Sequence, residues 1–211
     1  LSISTGQSGG GSGKVVFNVT ANPNAQARTG TLTIAGLSYT VVQQGSSTNS
    51  FNLLANPDFE AGVDPWIQEA ANGSPIITSY LNPVGTNTRY AWLCGYDNCV
   101  DRLYQDVTIP ADASSVLQFQ YQITTEETSA NTAYDNLSVS VFSPPTNTVA
   151  AFTLNLSNAN SQSSWLSSQP LDVSTLRGKT VRVQFSGATD ASLSTSFNLD
   201  DIRLTVTGTQ P

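Results

Sequence analysis

Apolar and polar residues alternate along most of this 211-residue chain, and such alternation is typical of β-strands with one buried face. In the segment 115–124, four apolar side chains share one face and three glutamines share the other. No segment shows a helical period, so the pattern predicts an all-β fold. The same alternation predicts further strands at 135–142, 151–157, 179–187 and 195–208.

The last of these segments changes its inward parity part of the way along. Phe197 and Leu199 occupy inward positions, but the next apolar residues, from Ile202 onward, fit only if one extra residue intervenes. We therefore expect a β-bulge at Asp200–Asp201, a device often found near sites and sheet edges. Strands with one polar face predict an antiparallel β-sandwich, and about eight of them favour a jelly roll.

The first part of the chain differs in composition, since it has fewer aromatic residues. It predicts three short strands at 14–21, 28–36 and 37–45, with turns at 22–24 and 35–36. The Ser- and Thr-rich run at 46–50 is typical of a linker. The predicted organisation is a partial β-module at 1–46, a linker at 47–50 and a larger domain at 51–211.

Composition narrows the function classes. Charged residues are 11% of the chain, with 8 Lys and Arg against 15 Asp and Glu, so nucleic acid is not an expected partner. There is no histidine, which excludes His-activated nucleophiles and His-bearing zinc sites. No apolar run approaches the ~20 residues of a membrane-spanning helix.

Two cysteines, Cys94 and Cys99, flank the turn-like sequence Gly-Tyr-Asp-Asn. A disulfide across a hairpin is the favoured interpretation; a reduced buried pair and a metal site are the alternatives. A disulfide predicts an oxidising compartment, hence a secreted, extracellular or cell-surface protein.

Two segments of the chain carry motifs that resemble those of known families. The motifs at 28–31, 34–36 and 42–45, "RTGT", "IAG" and "VQQG", resemble the C-terminal half of a BACON-type immunoglobulin-like module. From residue 51 onward, "NLLANPDFEAGVDPW", "LYQDVTIPADASSVLQFQYQ" and "TSFNLDDIRL" resemble galactose-binding-like jelly rolls. That family includes carbohydrate-binding modules and accessory domains of secreted bacterial hydrolases. The resemblance therefore implies a jelly roll preceded by a partial immunoglobulin-like segment.

The second resemblance also implies a structural calcium ion shared by a Glu after the first strand and an Asp in the last. The matching residues are Glu60 and Asp200, with Asn56 and Asp58 as further oxygen donors. The alternative is that Glu60 and Asp200 are solvated or paired with an arginine, Arg203 or Arg182.

Two further sets of residues are candidates for ligand contact. One set is acidic and consists of Glu126, Glu127 and Asp135. These residues could form a solvated loop, or a second site for a cation or ligand. A pair of glycosidase carboxylates is the alternative that fits the fold least. Exposed aromatic rings stack on sugars, and Trp92, Tyr96 and Tyr134 are candidates for such a platform, with core or rim packing as the alternative.

The favoured function is a non-catalytic module that binds a glycan or surface polymer beside neighbouring domains of a longer chain. The alternative is a structural subunit of an extracellular filament or layer. In that case the N-terminal strands would self-associate by strand exchange. An enzyme would be restricted to carboxylate chemistry.

Overall fold

The computed structural model describes residues 1–22, 24, 26–45, 48–79, 89–144 and 152–209. They divide into two compact units, the first comprising Leu1–Asn49 together with Thr209 and the second comprising Ser50–Gly208. The only helices in this described part are two single-turn 3-10 helices, neither of which could cross a membrane.

The first unit contains two separate antiparallel hairpins. Strands β1 (Ser2–Thr5) and β2 (Val16–Asn18) form one, and β3 (Arg28–Ile34) and β4 (Leu37–Gln43) form the other. The predicted turn at 35–36 is confirmed, since Ala35 and Gly36 both have positive φ between β3 and β4. The predicted turn at 22–24 includes Pro23, which lies outside the described residues. The first hairpin strand, β1, was not expected from the sequence.

The second unit is an antiparallel β-sandwich of a seven-stranded and a five-stranded sheet. The seven strands are β5 (Thr48–Asn52), β7 (Ile77–Thr78), β8 (Tyr90–Cys94), β10 (Ser114–Thr125), β13 (Gln162–Ser167), β14 (Leu171–Asp172) and β16 (Thr195–Thr209). The five strands are β6 (Ile67–Glu69), β9 (Val100–Thr108), β11 (Asn136–Phe142), β12 (Phe152–Ser157) and β15 (Thr180–Ala188). The predicted fold class is therefore confirmed for this unit.

The core lies between the two sheets and is built from the alternating apolar positions. Each fully buried Leu or Phe side chain contributes about 1.5–3 kcal/mol relative to exposure. The largest buried side chains include Phe59, Leu103, Leu117, Ile123, Leu137, Phe185, Phe197, Leu199 and Ile202.

The predicted bulge in the last strand is confirmed. Opposite Gln118 and Gln120 of β10, the strand β16 places Arg203 and Asp200, so one extra residue is accommodated there. Asp201 has φ of 49°, and both Leu199 and Ile202 remain fully buried. The bulge thus keeps both halves of β16 facing the core.

Two expectations need correction. Thr48–Asn52 is not a linker but a strand that pairs with β16, while residue 47 lies outside the described residues. Gln122 belongs to the polar face predicted for 115–124, but it is only 4% exposed. Its Nε2 donates to the Ser163 carbonyl and its Oε1 accepts from Asn198 Nδ2, and these bonds replace water.

Candidate functional site

A cleft of about 350 Å³ opens beside the two cysteines and brings two of the predicted aromatic residues together. We call it the aromatic cleft. Apolar and polar groups both contribute to its walls, which is the usual make-up of small-ligand sites. It is lined by Asn72, Ser74, Pro75, Ile76, Thr78, Trp92, Cys94, Gly95, Tyr96 and Asp101.

Trp92 reaches the cleft because of strand alternation on β8. Its neighbours Ala91 and Leu93 are fully buried in the core, so the indole lies on the outer face of the sheet, half-buried. Its Nε1 donates to Ser196 Oγ on the adjacent strand at 3.0 Å. Gly95 leaves room for the ring, since a Cβ there would lie 2.8 Å from Trp92 Nε1. The indole is therefore held in one orientation before any ligand arrives.

Tyr96 is held by a buried carboxylate. Its hydroxyl donates to Asp101 Oδ1 at 2.6 Å. Burial, followed by the hydrogen bond and charge of Asp101, raises the pKa of Tyr96 to about 12. The ring consequently stays neutral throughout the physiological range.

Asp101 itself is 3% exposed and also accepts two backbone hydrogen bonds, from Ala71 N at 3.0 Å and Cys94 N at 2.9 Å. Three donors around one buried carboxylate satisfy most of its acceptor capacity. Asp101 thus ties together the chain before the cleft, the disulfide and Tyr96.

The cysteines form a disulfide, as predicted, with their Cα atoms 5.5 Å apart. The expected hairpin is wrong, however, because β8 and β9 belong to different sheets. The segment Cys94–Cys99, which we call the disulfide corner, carries the chain from one sheet to the other. Residues with positive φ at Cys94, Gly95 and Asn98 make this turn possible. Because both sulfurs are bonded to each other, their proximity to Asp101 is not a metal site.

The disulfide corner is also anchored to the loop before β16. Thr189 Oγ1 accepts from Cys99 N and donates to the Tyr96 carbonyl, at 2.9 and 2.7 Å. Asn98 N donates to the Asp190 carbonyl at 2.6 Å. These bonds position the tip that carries Tyr96.

Asp190 on this loop meets two carboxylates from other segments, Glu127 after β10 and Asp135 before β11. The ligand atoms of the three lie within 4.8 Å of one another, and we call them the acidic cluster. Asp135 is fully buried and accepts from Asp190 N and Thr195 Oγ1. Burial, then the charges of Asp190 and Asp135, raise the pKa of Glu127. Glu126, expected in this group, is exposed, and Asp190 takes its place.

The remaining predicted ligand residues are not brought to the aromatic cleft. Tyr134 is 45% exposed and precedes β11, with its backbone N–H bound to Asn158 Oδ1 at 2.9 Å. Glu127 lies in the acidic cluster, and neither residue is among those that line the cleft.

The predicted calcium residues lie around one loop and the bulge of β16. Ile202 N donates to the Pro57 carbonyl at 2.8 Å, which brings the loop 56–62 against the bulge. Glu60 Oε1 accepts from Arg89 N, and Asp200 Oδ1 accepts from Asp201 N. Arg203 pairs with Asp201 at 3.1 Å and Arg182 with Asp106 at 2.8 Å.

Within that loop, Asn56 has a structural role. Its Oδ1 accepts from Ala61 N at 3.1 Å, and its carbonyl accepts from Trp66 Nε1 at 2.9 Å. Asp58 Oδ1 accepts from Glu60 N at 3.4 Å. Asn56 therefore closes the loop that presents Asp58 and Glu60.

No family model matches the sequence, and no curated protein matches it either. Solved structures do match. One is the carbohydrate-binding module TmCBM61 in complex with β-1,4-galactotriose, with a TM-score of 0.53 and 14% identity over 73% of this chain and 97% of that one.

Two other matches have lower TM-scores. The K1 cleaved adhesin domain of Lys-gingipain from Porphyromonas gingivalis has a TM-score of 0.47 and 15% identity, over 78% of this chain and 99% of that one. An apo cyclase from Fischerella sp. has a TM-score of 0.47 and 11% identity, over 77% and 98%. At 14% identity the likeness to TmCBM61 establishes the β-sandwich fold and leaves function to the site.

Sequence reasoning missed Asp101 and Gly95 in the site. Asp101 occupies an inward position of β9, two residues before the buried Leu103, and a charge at an inward position is a usable signal. The role of Gly95 depends on the orientation of Trp92, which the sequence does not contain.

Proposed function

We propose that this chain is a non-catalytic binding module of a secreted or cell-surface protein, and that it binds a glycan in the aromatic cleft. The observation that carries the proposal is the pair Trp92 and Tyr96 in one cleft, each fixed by a hydrogen bond from its polar end. Fixed aromatic rings offer a large apolar area to a sugar face at little entropic cost.

The other lining groups suit a polyhydroxylated ligand. Asn72, Ser74 and Thr78 bring amide and hydroxyl groups to the rim, and Pro75 and Ile76 add apolar surface. The sandwich of TmCBM61, which was solved with β-1,4-galactotriose, supports a neutral β-linked galactan as the first ligand to test.

The test is binding of β-1,4-galactan, xylan and mixed-linkage glucan oligosaccharides to the full chain by calorimetry. Trp92→Ala and Tyr96→Ala should each weaken binding at least about tenfold, or about 1.4 kcal/mol. Trp92→Phe guards against misfolding, since it retains a ring on the same strand. Tyr134→Ala, an exposed aromatic outside the cleft, serves as the matched control. Equal binding by all four variants would place the ligand elsewhere.

The proposed module also carries a structural calcium ion held by Glu60 and Asp200. The proposal is supported by the bond from Ile202 N to the Pro57 carbonyl, which joins the loop that carries Glu60 to the bulge that carries Asp200. Calcium binds six to eight oxygen atoms, and carboxylates such as those of Glu60 and Asp200 are among the ligands that it prefers. Asn56 and Asp58 stay predictions as further ligands. The ion would tie the loop after β5 to the last strand.

Thermal unfolding with calcium and with chelator tests this site. Saturation at about 100 times the dissociation constant adds about 2.7 kcal/mol, or several degrees. Glu60→Ala and Asp200→Ala should abolish the shift, and Asp106→Ala, which breaks an ion pair on the other sheet, should retain it. An unchanged shift in the two site variants would remove the proposed ligands.

A second candidate function is self-association through the first unit. Leu37 and Tyr39 lie on one face of the β3–β4 hairpin and are 64% and 52% exposed. Among the described residues this sheet has two strands, so the outer edge of each is unpaired. Light scattering after size exclusion would show concentration-dependent oligomers that Tyr39→Lys disperses; a monomer at high concentration would eliminate this candidate.

A further inference from the structure

The aromatic cleft has a strongly one-sided charge environment. Its floor holds Asp101, a buried carboxylate, and among the described residues that line it none is Lys or Arg. The exposed Asp97 lies next to Tyr96 on the disulfide corner. A ligand in this cleft therefore meets negative charge from below and from the rim.

The acidic cluster adds to this field from the other side of the disulfide corner. The Asp190 carbonyl accepts from Asn98 N at 2.6 Å, so this residue abuts the tip of the corner. Glu127 and Asp135 lie within 4.8 Å of its carboxylate. Five acidic groups thus belong to the disulfide corner, to its neighbour Asp101 and to the cluster whose Asp190 contacts the corner.

Three arginines of the second unit pair with carboxylates that do not line the cleft. Arg102 follows Asp101 on β9 but points to the outer face, where it pairs with Glu69 at 3.3 Å. Arg182 and Arg203 pair with Asp106 and Asp201. The chain as a whole has a net charge of −7.

From this arrangement we infer that the aromatic cleft selects uncharged glycans and rejects polyanionic ones such as polyuronates and sulfated polysaccharides. The inference rests on the proposed glycan binding and narrows its ligand class. Like charges brought together across a binding surface disfavour the complex, and in a cleft with low-dielectric walls they are screened less than on an open surface. The carboxylates act on the ligand's charge and leave its ring contacts to Trp92 and Tyr96.

The experiment is affinity electrophoresis of the full chain in two sets of gels. One set contains neutral polysaccharides: galactan, xylan and mixed-linkage glucan. The other contains acidic ones: polygalacturonate, alginate and heparin. We expect retardation by at least one neutral polymer, and affinity for every acidic polymer at least about tenfold weaker, with the gap narrowing as salt is raised.

A rim variant tests the electrostatic origin. Ser74 lines the cleft and is exposed, and its backbone N–H donates to Asn72 Oδ1 at 2.8 Å. Ser74→Lys should raise the affinity for polygalacturonate at low salt relative to Ser74→Gln, which has a similar length and no charge and so measures the effect of the longer side chain alone.

The outcomes separate the two proposals. Binding of an acidic polymer as tightly as any neutral one, with loss in Tyr96→Ala, overturns the charge selection and leaves glycan binding standing. Absence of binding to every polymer overturns both. A neutral preference that is insensitive to salt and to Ser74→Lys would overturn the electrostatic origin.

Discussion

The phenol of Tyr96 donates a 2.6 Å hydrogen bond to Oδ1 of Asp101, and this bond joins the tip of the disulfide corner to the start of β9. The same carboxylate binds the N–H of Cys94 at the beginning of the corner. One buried acid therefore sets the shape of the turn and the position of an aromatic ring in the cleft.

Alkaline pH should weaken the fold through Tyr96. The unfolded chain releases the phenolic proton near the ordinary value of 10.0, whereas the folded chain retains it to about 12. Between these values the unfolded state binds fewer protons, so the free energy of unfolding falls as pH rises. Denaturant unfolding of wild type and Tyr96→Phe across this window should show a steeper decline for wild type. Parallel declines would mean that the bond to Asp101 is not formed in solution.

Removal of the disulfide should cost about 2 kcal/mol, since the closed loop is short. The variant with both Cys94→Ser and Cys99→Ser is compared with wild type by urea unfolding, with and without reductant. Wild type in reductant should match the double variant in oxidising buffer. Glycan affinity should fall together with stability, because Tyr96 lies inside the closed loop. Stability equal to that of oxidised wild type would show that the bonds of Thr189 and Asp101 suffice to hold the corner.

Gly187 on β15 packs closely against the disulfide and against β8 of the facing sheet. A Cβ there would lie 2.9 Å from Cys94 Sγ and 3.3 Å from Leu93 Cβ. Gly187→Ala should therefore destabilise by about 1–3 kcal/mol through overpacking. Ser186→Ala changes the neighbouring residue on the outer face and should stay within about 0.5 kcal/mol. Thermal unfolding of both variants decides the matter, and a neutral Gly187→Ala would indicate that the sheets can separate locally.

The acidic cluster should make the folded state less stable as pH rises through the mildly acidic range. Because the pKa of Glu127 is raised, the folded state retains this proton at pH values where the unfolded state has lost it. Stability therefore decreases as pH rises through this interval. Glu127→Gln should gain stability over wild type toward neutral pH in chelator, and the exposed Glu126→Gln should not.

The same variant, Glu127→Gln, is also compared with wild type in the presence of added calcium. If a second cation occupies the cluster, wild type gains stability with calcium and Glu127→Gln gains less. An equal gain of stability in both proteins would mean that calcium binds outside the acidic cluster, as expected for the predicted site at Glu60 and Asp200.

The sequence predicted the long strands well because their alternation reflects burial on one face only. The five segments from 115–124 to 195–208 became β10, β11, β12, β15 and β16, including the bulge at Asp201. The short strands β6, β7 and β14 have two or three residues, too few for a period to be visible.

The site was predicted less completely because its contacts are distant in sequence. Trp92 and Tyr96 were identified as candidate ligand residues, but the period of a strand does not reveal that β8 and β9 lie in different sheets. Asp190 reaches Asp135 across a separation of 55 residues and so was not grouped with it. Tyr134 was chosen for its type alone, and its position before β11 leaves it outside the cleft.

The strand order has a consequence for synthesis. Strand β16 lies between β10 and β8 in the seven-stranded sheet and bonds to both, yet it is synthesised after both of them. Until it emerges from the ribosome, β8 and β10 expose unpaired backbone and the apolar side of the five-stranded sheet has no complete cover. The nascent sandwich therefore has unpaired strand edges until its central strand has been synthesised. A holdase chaperone would bind it during that period.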